Sequence, residues 1–251
     1  MRVAVVSSPR SGNMWLRRLL VAAYGLEERS AHTPDEVDWD GLPERCVLQL
    51  HWHRTADFRR RLRGGGFRVV VLARHPLDVL LSILHFAPHE PATARWLDGE
   101  GGDESTLAAA DPAAPAFLSY AVGPRAKALL SITPEWWSHS DARVRYEALV
   151  DHPVEELGRI CDDLGVRPVV EPARAVDVVS FERLRAEATN QHFWQGRPGL
   201  WKELVPTHVA LEIAAAYPEM AELDYRVGVD DRTARARWNA LAVDPDFARA
   251  S

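Results

Sequence analysis

Cysteine is almost missing from this chain: Cys46 and Cys161 are the two that its 251 residues contain. They are too few and too far apart in sequence for a disulfide framework or a structural zinc site, and they fit a reducing compartment. No apolar run approaches the roughly 20 residues that cross a bilayer, and no signal-peptide-like stretch precedes the first apolar segment. Both absences lead to the expectation of a soluble, cytoplasmic protein. Lys and Arg nowhere form a block. With a net charge of −6 and a pI near 5.9, this argues against a nucleic-acid surface and makes the basic residues local in their action. Also missing is the nucleotide-kinase signature G-x-x-x-x-G-K-[ST], since no glycine is followed by lysine.

What is present is enough apolar residue, 47% of the chain, to build one α/β domain across residues 1–251. Strand-like and helix-like segments alternate, the pattern of a parallel sheet covered by helices. Strands are expected at 2–6, 46–51 and 67–73, with a short one at Val144–Tyr146. Helices are expected at 13–24, 55–63, about 76–86, 116–132, 151–164 and 206–217. Residues 87–115 break the rhythm with prolines, glycines and acids, and read as a mobile acceptor loop. Residues from about 231 to 251 lack a stop signal and read as a surface tail.

Two strand ends carry chemistry. The apolar run Val3–Val6 meets Ser8-Pro-Arg-Ser-Gly-Asn-Met-Trp15, a turn that aims the free backbone N–H groups of the following helix at whatever occupies it, with Arg10 adding a fixed cation. A purely structural strand-to-helix connection explains the same turn. The second run, Phe67–Ala73, ends at Arg74, and Ser82 lies two turns along the next helix, so one anion can touch both. Taken alone, an Arg capping carbonyls and a Ser bonded back to its own helix account for that pair as well. Together the two ends suit a ligand with two separated anionic groups. A metal site at His85 and His89, on one helix face, lacks a third ligand.

The order of Ser8–Trp15, Leu72-Ala-Arg-His-Pro-Leu-Asp-Val-Leu-Leu-Ser82, Arg145-Tyr-Glu-Ala-Leu149 and Gly196-Arg-Pro-Gly-Leu-Trp-Lys202 resembles the soluble, cytosolic-type sulfotransferases, in a bacterial-like form. These use 3′-phosphoadenosine-5′-phosphosulfate (PAPS) and release 3′-phosphoadenosine-5′-phosphate (PAP). Their motifs read Y-P-K-S-G-T-T-W, R-N-P-K-D-V-A-V-S, Y-E-D-L and R-K-G-x-x-G-D-W-K. The resemblance implies a P-loop-type three-layer α/β/α fold with a central parallel sheet. It puts Arg10 in the place of the lysine that stabilises the leaving phosphate, and Ser11, Gly12, Asn13 and Met14 around the 5′ end. Trp15 takes the aromatic place on adenine, although an aromatic early in a helix is also ordinary core. Arg74 and Ser82 match the 3′-phosphate pair, Tyr146 falls near the base, and Gly196 and Arg197 lie in the closing loop. For Tyr146-Glu147, a strand end with an acidic first helical turn is the bland alternative.

The same resemblance aligns His51 with a family histidine that acts as catalytic base. Strand periodicity alone puts His51 and His53 on one face and does not choose between them. The implied reaction is in-line transfer of a sulfuryl group to a hydroxyl of a small-molecule acceptor, with no metal, His51 taking the proton and Arg10 holding the departing charge. The family's lysine two residues before the histidine is Gln49, its second turn threonine is Met14, and its Arg-Lys is Trp194-Gln195. Each change removes a polar or charged contact. A non-catalytic PAPS or PAP binder, and a P-loop phosphotransferase, are the other readings.

Overall fold

The computed structural model describes residues 1–180, 183–184, 186 and 194–227, so the expected tail at about 231–251 lies outside the described residues. Five strands, β1 (Arg2–Val6), β2 (Glu27–Ser30), β3 (Cys46–Leu50), β4 (Phe67–Ala73) and β5 (Ala142–Arg145), form one sheet in the order β2-β3-β1-β4-β5. Every pairing is parallel. A parallel sheet needs both faces covered, and β1 accordingly reads as continuous Val-Ala-Val-Val, each residue fully buried. Each Val or Leu buried in this way contributes about 1.5–3 kcal/mol relative to exposure.

The side-chain alternation of the strands divides the core in two. Val3, Val5, Val47, Val70 and Leu72 face a layer that includes α1 (Asn13–Tyr24), α7 (Pro153–Leu164) and α8 (Pro172–Val178). Ala4, Val6, Leu48, Leu50, Val69 and Val71 face α2 (Ala56–Gly64), α3 (Pro76–Phe86), α4 (Pro115–Ala121), α5 (Pro124–Trp137) and the helix Thr207–Ala216. The result is the three-layer α/β/α architecture with a central parallel sheet.

Some elements depart from the sequence-based expectation. The helix expected over 116–132 is two helices, because Gly123-Pro124 ends one and starts the next, with Pro124 in the first turn where its missing N–H is harmless. β2 has the sequence Glu-Glu-Arg-Ser, an exposed, charged edge strand with no apolar signal. Tyr146 does not end a strand but opens α6 (Tyr146–Asp151).

The register matters for function. Val6 lies opposite Leu50, Val5 opposite Val70, and Ala73 opposite Arg145. The segments leaving the carboxyl ends of four strands therefore gather along one edge of the sheet, where ligands bind in open α/β folds.

Candidate active site

The turn after β1 is held from several sides. The Leu72 amide donates to Ser7 Oγ at 2.7 Å, the Ser8 amide to Thr133 Oγ1 at 2.9 Å, and Asn13 Nδ2 to the Ser8 carbonyl at 2.9 Å. Arg10 (φ 61°) and Gly12 (φ 102°) both have left-handed backbone. Gly12 is required: a Cβ there would stand 2.5 Å from Cδ2 of Tyr146. The helix α1 that follows has no side-chain cap and no acid in its first turn, so its N-terminal amides and dipole are left for a ligand. Ser11 Oγ and Asn13 Oδ1 are buried without a hydrogen-bond partner.

Two arginines converge on this turn. Arg10 Nε donates to Ser82 Oγ at 3.1 Å, and its guanidinium lies 4.0 Å from the centre of the Phe86 ring. Arg74 Nη1 donates to the Arg10 carbonyl at 3.0 Å and its guanidinium lies 4.6 Å from the Tyr146 ring, while its Nε is buried without a partner. Burial, and then the charge of Arg74, push the pKa of Arg10 down to about 9. Two cations this close in a partly dry site are stabilised by a bound anion. Sequence reasoning paired Arg74 with Ser82; the structure places Arg10 between them.

Above the turn, the Tyr146 hydroxyl donates to the Gly196 carbonyl at 2.6 Å and Trp15 packs edge-on against the Tyr146 ring. Trp15 is also core, its indole N–H bonded to the Val179 carbonyl. The loop bearing Gly196 is tied to α3 by Asp78, whose carboxylate accepts from the amides of Gly199 and Trp201 at 2.7 and 3.0 Å. The sequence reading gave Asp78 no role; a buried acid amid the apolar residues of α3 was the signal available. Arg197 does not reach the cavity. Its fork closes on Glu203 at 2.6 and 3.0 Å, which raises its pKa, and only Gly196 of that pair lines the space.

A cavity of about 250 Å³ joins this anion end to a second wall. Gly12, Asn13, Met14, Trp15, Arg10, Arg74, Ser82 and Tyr146 line the first end, with Ser11 buried beneath the turn. His51 lines the other part, and its environment separates it from His53. Its Nδ1 lies 2.8 Å from the Ser7 carbonyl, which only accepts, so Nδ1 carries the proton and Nε2 the lone pair. Gln49 Nε2 lies 3.3 Å from that Nε2. Burial pushes the pKa of His51 down to about 4. His53 lies outside the cavity lining, between Glu135 (3.0 Å) and Glu100 (3.2 Å), and its hydrogen bond to Glu135 raises its pKa. Period-two alternation failed to separate them because β3 ends at Leu50.

The second wall comes from residues 87–115, which fold into short 3-10 segments, Ala87–His89, Pro91–Gly99, broken by non-helical backbone at Trp96, Leu97 and Asp98, and Ser105–Leu107. A fully buried ion pair anchors them. Arg125 Nε donates to Glu104 at 2.7 Å while its other nitrogens donate to the carbonyls of Thr93, Trp96 and Glu100. Trp96 is thereby set edge-on to His51, with 6.4 Å between ring centres. His32, Glu90, Ala92 and Thr93 complete the wall and had no role in the sequence reading. His85, considered as a metal ligand, stacks on Trp194 at 4.5 Å; among the described residues no three ligating side chains converge.

No protein-family model matches the sequence, and the search of curated proteins found no match. Solved structures do match. Mouse sulfotransferase SULT7A1 complexed with PAP has a TM-score of 0.66 and 17% identity, over 89% of this chain and 85% of that one. Retinol dehydratase, in complex with androsterone and inactive cofactor PAP, has a TM-score of 0.57 and 16% identity over 90% and 82%. The same dehydratase with retinol and PAP gives 0.57 and 15% over 90% and 83%. The chain has the sulfotransferase fold.

Proposed function

We propose that this chain is a PAPS-dependent sulfotransferase that moves a sulfuryl group to a hydroxyl of a small-molecule acceptor. The observation that carries the reading is the pairing of Arg10 and Arg74 at an uncapped helix N-terminus, in one cavity with a neutral histidine whose tautomer is fixed. Two sets of groups fit PAPS: the first-turn amides of α1 with Arg10 at one anionic group, and Arg74 with Ser82 at another. The buried, unpartnered Ser11 Oγ and Arg74 Nε are donors of the kind a phosphate satisfies. PAPS brings the sulfuryl group and leaves as PAP, as it does in the family that the motifs resemble.

In this arrangement His51 Nε2 accepts the proton of the acceptor hydroxyl, while Nδ1–H stays on the Ser7 carbonyl and holds the ring. Arg10 and the α1 amides hold the negative charge that grows on the departing side. Sulfuryl transfer, like phosphoryl transfer, leaves the protein mainly positioning and electrostatics to supply. A base with a pKa near 4 is weak; burial is the main cause, partly offset by the bond to the Ser7 carbonyl, and bound phosphates counter only the smaller part that nearby arginine charge contributes.

The Gln49 contact favours a second reading. It occupies the lone pair of His51, as a protein that binds PAP without turnover can permit. Single-turnover transfer from labelled PAPS separates the two. His51→Ala is expected to keep PAP affinity and lose about 10²–10⁴-fold in rate, while His53→Ala loses little. The parent's rate is expected to fall at acid pH as Nε2 takes a proton, with a midpoint below that of free histidine because the folded pKa is depressed. Full activity in His51→Ala would remove the histidine base.

A further inference from the structure

His53 stands between two carboxylates that belong to different elements. Its Nδ1 lies 3.0 Å from Glu135 Oε1 on α5, and Glu135 Oε2 also accepts the Arg54 amide at 2.9 Å. Its Nε2 lies 3.2 Å from Glu100 Oε2, at an angle that makes an ion pair rather than a hydrogen bond. A neutral imidazole has one N–H, so either tautomer turns a lone pair toward a carboxylate; only the imidazolium suits both partners. Glu100 follows the part of the wall that most needs holding. Leu97, Asp98 and Gly99 are all left-handed, with φ of 50°, 53° and 76°, a strained backbone for the first two. This turn joins Glu100 to Trp96, the ring set edge-on to His51. Arg125 Nη1 grips the carbonyls of Trp96 and Glu100 at 2.9 Å each, and His53 takes the Glu100 side chain.

We infer that His53 is a proton-operated latch on the second wall: charged, it draws Glu100 toward α5 and holds the Trp96 turn closed, and on losing its proton it lets that turn open. That the wall serves an acceptor rests on the sulfotransferase reading; the latch itself does not. In that reading His53 touches no reacting atom and is a positioning residue for the surface opposite the base. The charges that face it are Glu135 from α5 and Glu100 from the wall. Of the neighbouring groups, the Arg54 guanidinium lies over the Trp136 ring, Arg125 is paired with Glu104, and His51 turns to the Ser7 carbonyl. The Glu135 bond, opposed by burial and assisted by both carboxylate charges, holds the pKa of His53 above the ordinary histidine value. With a raised folded pKa, the latch is fully engaged below the unfolded value and is lost as pH rises through the folded one. His51 runs the other way, since acid removes its lone pair.

The test is amide hydrogen exchange of the whole chain, followed by mass spectrometry at about pH 6 and about pH 9, either side of a raised histidine pKa, with each rate corrected for the intrinsic effect of pH. Peptides covering residues 93–103 are expected to exchange about fivefold faster at the higher pH, since a part-exposed ion pair is worth up to about that ratio. Peptides from β1 and β4 are expected to stay unchanged and report that the fold is intact. In Glu100→Gln the pH step is expected to vanish; that side chain is mostly exposed, and the backbone contacts of residue 100 to Arg125 and Leu97 remain. His53→Gln is expected to show the faster exchange at both pH values. The absence of a step in the parent overturns the inference, as does a step of equal size in Glu100→Gln. Neither nucleotide nor acceptor enters the measurement, so its failure is distinct from a failure to bind PAP, which would overturn the sulfotransferase reading instead.

Discussion

At Gly12 the chain has no room for a side chain, because Tyr146 closes on the turn from above and the backbone is left-handed there. Alanine is expected to cost about 1–3 kcal/mol in a denaturant titration, and to weaken PAP by displacing Tyr146 from the turn. A Gly12→Ala protein with parent stability and parent affinity contradicts this geometry. The single glycine was legible as part of a strand-to-helix turn. The demand made on it by Tyr146 was not, since that contact joins residues distant in sequence. The same limit governs the histidines. Nothing local tells that His51 turns to the Ser7 carbonyl while His53 turns to Glu135; both partners lie on other elements. Arg197 differs again. A motif position suggested a ligand contact, but a carboxylate six residues on takes the guanidinium.

Among the elements, those with strong apolar patterns were readable: β1, α1, β4 and α3 have the residue bounds that periodicity and the flanking prolines and glycines indicate. β2 was not, being polar and exposed at the sheet edge. The 87–115 segment has the composition of a loop, and only the tertiary partner Arg125 explains how it becomes a wall. That partner has a measurable role. Arg125→Met leaves Glu104 buried without its cation and is expected to cost about 3–5 kcal/mol. Arg125→Lys keeps a charge but not the fork that reaches the Thr93, Trp96 and Glu100 carbonyls. The lysine variant is expected to raise the acceptor KM while leaving PAP affinity close to the parent's, as measured by steady-state rates and calorimetry. Equal loss of both would place the staple under the whole cavity rather than under its acceptor wall.

On the scale of the whole molecule, an acidic chain with a net charge of −6 concentrates cations where four strand ends meet, and the site draws on most of the chain, from Arg10 through Arg74 and Tyr146 to Gly196. The ordering of motifs made the fold legible because parallel α/β topology brings successive strand ends to one edge. If Arg74 and Ser82 hold a second phosphate, as proposed, the site distinguishes PAP from adenine nucleotides that lack a phosphate at that position. Calorimetry of PAP against ADP, on the parent and on Arg74→Ala, tests it most directly. PAP is expected to bind the parent at least about tenfold more tightly than ADP, since a charge-assisted contact is lost with the 3′-phosphate, and Arg74→Ala is expected to erase the difference in a folded protein. Equal affinity of the parent for PAP and ADP, or a preference untouched by Arg74→Ala, would contradict it.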